Sequence, residues 1–211
     1  IWHVPESGEW ARDLAWEDAI GQDWAGHTTS QLADRLAGLT DLELQPTEKQ
    51  NRHKLSYFLP ADTDMNALAP QLLARLGGEA LRVRFVFSVD ETENQGLRDV
   101  LPERASTLHA IEAVADELSL EHENIVFCGD SGNDLEVLVS ALPAVLVANA
   151  TEPVREAALA GARAAGTEDL LYCARGGFRG MNGCYAAGML EGIAHFHPWT
   201  ESLLDAKAGA A

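Results

Sequence analysis

"FCGDSGNDLEVL", residues 127–138, admits two readings that imply different folds. As a nucleophile site, Ser131 sits in a GDSG tetrapeptide, the setting of a trypsin-like catalytic serine. As an acidic loop, it offers Asp130, Asn133 and Asp134 within five residues, enough oxygen to hold a metal ion. The first reading needs an all-β, usually disulfide-linked chain with a partner histidine upstream. The second needs a strand before the loop and a helix after it.

The flanking sequence supplies the second setting. Asn124–Cys128 is a short apolar run ending in glycine, read as a buried strand, and residues 134–141 continue as a helix. Further out, 105–118 carries Leu108, Ile111, Val114 and Leu118 near helical spacing. Ala144–Ala148 is a second strand, 152–162 a helix with Pro153 in its first turn, 170–173 a third strand and 184–196 a last helix. Strands alternating with helices at this pitch form βαβ units and a parallel sheet. The serine-protease reading fails on this ground. A GxxxxGK[ST] phosphate loop fails too, because no lysine follows. Gly129 and Gly132 make the turn, and Asp130 or Ser131 could cap the helix. One carboxylate is enough for a cap, however, and here there are two plus an amide. The loop also lies at the carboxyl end of a strand, where open α/β sheets bind ligands. Carboxylate oxygens are what Mg²⁺ prefers, so the loop is read as a metal site.

The preceding segment has another rhythm. Residues 29–39 form a capped helix, and "HKLSYFL" (53–59) a strand. Residues 64–76 put Met65, Leu68, Leu72 and Leu76 on one helical face, with Pro70 expected to bend or delay the helix. "LRVRFVFSV" (81–89) alternates as a half-exposed strand does. The fold class is therefore α/β, a parallel sheet with a compact α+β unit placed ahead of it. Trp2, Trp10, Trp16 and Trp24 crowd the first 24 residues and are read as anchors of a hinge or core. His195 and His197, two apart on a helix, face different ways and are read as polar residues at its end.

Composition narrows the partners. The 211 residues carry a formal charge of −18, a field that repels nucleic acid and anionic membranes and argues against both. No apolar run approaches the ~18 residues of a membrane span, and no secretory signal is visible. Cys128, Cys173 and Cys184 form no CxxC pair and leave an odd thiol, which suits a reducing cytoplasm. An anionic substrate would need local help against the global charge, and a bound divalent cation gives it.

Beyond the loop, "HKLSYFL" (53–59), "DVLPERAS" (99–106), "VFCGDSGNDLEV" (126–137) and "LEGIAHF" (190–196) together resemble the sucrose-phosphate phosphatases, a branch of the haloacid dehalogenase superfamily, in order and spacing. The resemblance covers nearly the whole chain. It implies a Rossmann-like core (residues 1–9 and 97–211), a mobile α+β cap (10–96), and Mg²⁺-dependent hydrolysis of a phosphorylated disaccharide in sucrose biosynthesis. It further implies that Asp130 ligates Mg²⁺, that Asp134 holds a metal-bound water or orients the loop, and that Asn133 hydrogen-bonds nearby. Lys54 and Tyr57 would recognise the sugar from the cap. On a strand, Lys54 and Ser56 share one face and Tyr57 takes the other, so not all can reach one ligand.

The departures from the family pattern carry expectations of their own. Its first motif, a strand running into Asp-x-Asp, supplies the nucleophile and general acid and is expected upstream of Ile1. So is its second, a phosphate-binding Ser or Thr. The one Asp-x-Asp here, Asp62-Thr63-Asp64, is read as a helix cap. Residues 1–211 alone are therefore expected to hydrolyse no phosphate ester at a useful rate. The third motif expects a lysine where Thr107 stands, and Arg104, about one helical turn earlier, is the candidate substitute. The rival reading is a non-catalytic domain like that attached to some sucrose-phosphate synthases, which makes that synthase a candidate partner.

Overall fold

A computed structural model describes residues 1–4, 8–39, 41–77, 81–90 and 92–208, with side chains described as far as residue 205. The chain divides into two compact units, Ile1–Ser106 and Thr107–Ala211. No helix among the described residues is long and apolar enough to cross a membrane.

The first unit opens with a small antiparallel pair, β1 (Trp2–His3) and β2 (Ala11–Arg12), then α1 (Leu14–Gly21) and α2 (Thr29–Leu36). Next come β3 (Glu43–Leu44), β4 (Leu55–Pro60), α3 (Met65–Leu76), β5 (Val83–Asp90) and β6 (Gln95–Pro102). The last four strands make an antiparallel sheet of order β3-β4-β6-β5. α2 starts at a capping box in which the Thr28 hydroxyl accepts from the Gln31 amide and the Gln31 side chain accepts from the Thr28 amide. Asp64 caps α3 by accepting from the amides of Asn66 and Ala67, as expected for that Asp-x-Asp. Leu68, Leu72 and Leu76 of α3 pack with Leu32 and Leu36 of α2 on alternate residues of β4 (Leu55, Tyr57, Leu59). α3 runs through Pro70. A proline there costs about 3 kcal/mol, whereas burying three leucines gains about 1.5–3 kcal/mol each, so burial wins.

The sequence rhythm put the cap boundary at 96/97, which falls inside β6. Every residue of β6 pairs with β5, and most of them with β4 as well. Residues 97–102 therefore stay with the antiparallel sheet, and the division comes after Ser106. Residues 2–3, expected with the parallel part, pair with 11–12 in the first unit.

The second unit runs α4 (Thr107–Leu118), β7 (Phe127–Gly129), α5 (Leu135–Leu138), β8 (Ala144–Leu146), α6 (Glu152–Ala165), β9 (Leu171–Cys173), α7 (Ala186–Phe196) and α8 (Glu201–Ala208). β7, β8 and β9 form a parallel sheet in that order. Ala144 and Leu146 of β8 pack on one face with Leu138 of α5 and Ala158 of α6. Val145 and Val147 pack on the other with Phe196 of α7. Helices thus cover both faces, and the central strand is apolar on both sides, as a parallel sheet requires. α7 lies against β8 through glycine. A Cβ at Gly192 would stand 2.2 Å from a Val145 methyl, and one at Gly188 would stand 2.1 Å from the Gly183 carbonyl oxygen.

Candidate functional site

The GDSGND loop leaves the carboxyl end of β7. Ser131 caps the turn 132–134 and Asp134 completes the box. Asp134 Oδ2 accepts from the Asp130 amide (3.0 Å), the Ser131 amide (2.9 Å) and the Ser131 hydroxyl (2.9 Å). The carboxylate lies flat against Gly129, where any Cβ would come within 2.7 Å of it. Only glycine fits there. Asp134 therefore shapes the loop and spends one oxygen doing so.

Asp130 is placed differently. Its Oδ2 accepts from the Asn149 side-chain amide at 2.6 Å, and among the described residues no hydrogen bond reaches its Oδ1. A neutral amide orients a carboxylate without pairing it to a cation, so half-buried Asp130 keeps a second oxygen for other use at the strand end. That oxygen is of the hard type that suits Mg²⁺. Among the described residues no third His, Cys, Asp or Glu joins Asp130 and Asp134 closely enough to share an ion. Asn133 is exposed on the same turn. Thr107 is exposed at the first residue of α4. Cys128, inside β7, has its thiol pushed up to about 11 by burial and stays protonated.

Three residues unforeseen in the sequence complete this edge. Asn149 follows β8, and its Oδ1 accepts from the Tyr185 amide at 2.7 Å. Tyr185 has φ +49° and ψ −130°, a backbone state that costs about 1–3 kcal/mol in a non-glycine residue. Between β9 and α7 the chain makes a loop whose ends meet at Gly176 and Gly183, where a Cβ on Gly183 would come within 2.5 Å of the Gly176 nitrogen. Buried Glu191 of α7 holds the start of this loop, accepting from the Arg175 amide (2.8 Å), the Gly176 amide (2.9 Å) and the Tyr172 hydroxyl (2.9 Å). Burial opposes its charge, but the Arg175 amide, the Tyr172 hydroxyl and the Gly176 amide outweigh it. The carboxyl sits below its ordinary range. The signals were present as "VANA", an amide three residues past the end of buried β8, and as the glycine-rich run after β9.

The other expected residues lie in the first unit. Arg104 does not serve as a free cation. Its backbone amide and Nε donate to Asp23 (2.8 and 3.0 Å), its Nη2 donates to the Ala19 carbonyl (2.8 Å), and Asp23 is fully buried. Arg82 also pairs with Asp23. A carboxylate removed from water needs paired cations and hydrogen bonds, and Arg104 is committed to that need. Tyr57 sits in the hydrophobic core, 5% exposed, with burial pushing its hydroxyl up to about 12. It packs rather than presenting its ring to a ligand. Lys54 fits better. Its Nζ meets Asp99 Oδ2 at 3.1 Å, Ser56 Oγ donates to Asp99 Oδ1 at 2.6 Å, and Lys54 lines a cavity of about 690 Å³ with Arg12, Trp16, Arg52 and His53.

Known proteins resemble the chain in sequence and fold. The family model described as sucrose-6F-phosphate phosphohydrolase matches residues 3–197. A Nitrosococcus oceani protein described only as a HAD-like hydrolase is 48% identical over 90% of this chain and 51% of its own length. Sucrose-phosphatase 1 of Nicotiana tabacum is 28% identical over 88% of this chain and 40% of its own. The chain thus spans about half the length, or less, of these curated relatives. The sucrose-phosphatase of Synechocystis sp. PCC6803, solved in complex with sucrose and phosphate, superposes with a TM-score of 0.64 at 26% identity, covering 87% of this chain and 67% of that one.

Proposed function

Because this chain belongs to the sucrose-6F-phosphate phosphohydrolase family of HAD-like hydrolases, we propose that it is part of a Mg²⁺-dependent phosphomonoesterase. The substrate is a phosphorylated disaccharide of the sucrose 6-phosphate kind, released as free sugar and phosphate. The observation that carries this reading is Asp130, whose carboxylate is aimed and half-engaged by a neutral amide at the end of a parallel strand.

In this reading Asp130 Oδ1 holds the ion, and Asp134 keeps the loop in the shape that presents it. When bound, Mg²⁺ offsets the carboxylate charge and stabilises the charge on the phosphoryl oxygens. Thr107, at the start of α4, donates a hydrogen bond to a phosphate oxygen but adds no positive charge. Lys54, held by Asp99 and lining the cavity of the first unit, is the residue that would meet the sugar, with its charge already paired. The Asp-x-Asp among the described residues ends in Asp64, which is spent on capping α3, and the chain spans about half of its curated relative. The reading therefore concerns the full-length protein.

The test is phosphate release by the full-length protein from sucrose 6-phosphate and from monosaccharide phosphates, with Mg²⁺ and with a chelator. Mg²⁺-dependent release favouring the disaccharide supports the reading. A folded protein that releases no phosphate from any of them overturns it. One observation favours a second reading, a non-catalytic domain that serves a sucrose-phosphate synthase. Thr107 replaces the family's lysine, and Arg104 is committed to Asp23 and cannot substitute. A folded, inactive protein that co-purifies with such a synthase would select it.

A further inference from the structure

Asn149 makes two contacts through the two polar atoms of its side-chain amide. Its amide nitrogen donates to Asp130 Oδ2 at 2.6 Å, and its amide oxygen accepts from the Tyr185 amide at 2.7 Å. One planar group therefore joins the aspartate loop after β7 to the glycine-rich loop before α7. The second loop is tied down elsewhere as well: the Ala148 amide donates to the Gly183 carbonyl at 2.9 Å, and Glu191 holds the amides of Arg175 and Gly176. The strained backbone of Tyr185 lies where these ties converge, and Asn149 accepts the hydrogen bond that fixes it.

We propose that Asn149 is the positioning residue of the metal site, orienting Asp130 and coupling the ion to the loop 175–185. The inference rests on the metal reading of Asp130. The chemistry of the amide fits the task. An arginine or lysine at this place would neutralise the carboxylate and weaken it as a ligand. A hydroxyl could orient Asp130 but could not span both loops. The carboxamide donates on one side and accepts on the other, engaging Asp130 through Oδ2 and leaving Oδ1 without a hydrogen bond among the described residues. Outer partners that orient a ligand typically change metal affinity by about 10–100-fold when removed. Because the same group holds Tyr185, an ion that fixes the Asp130 carboxylate also restricts the Asn149 amide bonded to it and, through that amide, the Tyr185 N–H. Mg²⁺ should therefore steady a loop it does not touch.

The experiment uses the full-length protein, with Mg²⁺ binding measured by calorimetry and amide exchange measured at Tyr185. In the parent, Mg²⁺ binds and slows Tyr185 exchange. In Asn149→Ala, affinity falls about 10–100-fold and Mg²⁺ no longer slows exchange at Tyr185, while excess Mg²⁺ restores turnover. If the parent binds Mg²⁺ and Asn149→Ala binds it equally well, the inference falls and the metal reading stands. If the parent binds no Mg²⁺, the metal reading fails and takes the inference with it. Should Asn149→Ala not fold, the parent labelled with ¹⁵N-asparagine and ¹⁵N-tyrosine decides. Shifts of the Asn149 side-chain and Tyr185 amide resonances on adding Mg²⁺ support the coupling, and resonances unmoved at saturating Mg²⁺ overturn it.

Discussion

Asp134 and Asp130 stand four residues apart in one loop, and the structure gives them different work. Replacing Asp134 with alanine removes the single oxygen on which three donors converge. A hydrogen bond to a charged acceptor is worth about 1.5–3 kcal/mol net. The three share one loop and one acceptor, so they do not add, and about 3 kcal/mol is expected for Asp134→Ala. Asp134→Asn keeps a carbonyl oxygen in the same place and should cost about 1 kcal/mol by the same reasoning. Asp130→Asn still offers an oxygen to the Asn149 amide, so its stability should stay within about 1 kcal/mol of the parent. With a urea m-value of about 1–3 kcal/mol/M, Asp134→Ala lowers the unfolding midpoint by roughly 1–3 M. Asp130→Asn barely moves it. Paired urea titrations, followed by Mg²⁺ activation curves on the folded variants, read both effects. If the two variants lose equal stability, or if Asp134→Ala loses none, the division of labour in this loop is wrong.

Arg104→Ala leaves buried Asp23 with Arg82 as its one ion-pair partner among the described residues. It should destabilise the protein by about 1.5–3 kcal/mol, with kcat unchanged once enough protein is folded; a specific loss of kcat at parental stability would return Arg104 to the chemistry. Thr107→Lys adds a cation at the exposed start of α4. If the family's charge is what the protein lacks, turnover rises by about 10²–10³-fold in a steady-state assay with no change in melting. The lowered titration of Glu191 sets a pH dependence. Its folded carboxyl loses its proton more readily than the unfolded one, so its contribution is complete above the ordinary carboxylate value near ~4.3 and is lost as pH falls below that. Urea midpoints measured between neutral pH and pH 3 should fall less steeply in Glu191→Gln than in the parent.

Much of the fold was legible because the strands of a parallel sheet read as short apolar runs. "AVLVA" became β8, and the short runs before Gly129 and around Tyr172 became β7 and β9, each within a few residues. The boundary at 96/97 was misplaced for a physical reason. β6 alternates core-facing and outward residues as an antiparallel strand does, but only its partners on β4 and β5 reveal that it is one. Of the site, the aspartate loop could be read from spacing, since its bonds are local and run between residues 130 and 134. Asn149, Tyr185 and Glu191 could not be placed, because their partners lie 19 and 36, 36, and 15–19 residues away respectively. Arg104 was misjudged on the same account. Its helical distance from Thr107 was visible, but its bond to Asp23, 81 residues earlier, was not.

Crystals of the full-length protein soaked in Mn²⁺, a heavier stand-in for Mg²⁺ with an anomalous signal, show whether Asp130 holds the ion. The expected result is an anomalous peak about 2–2.3 Å from Asp130 Oδ1, with Asp130 Oδ2 still on the Asn149 amide and the peak lost in Asp130→Asn. A peak elsewhere, or one that persists unchanged in Asp130→Asn, contradicts it.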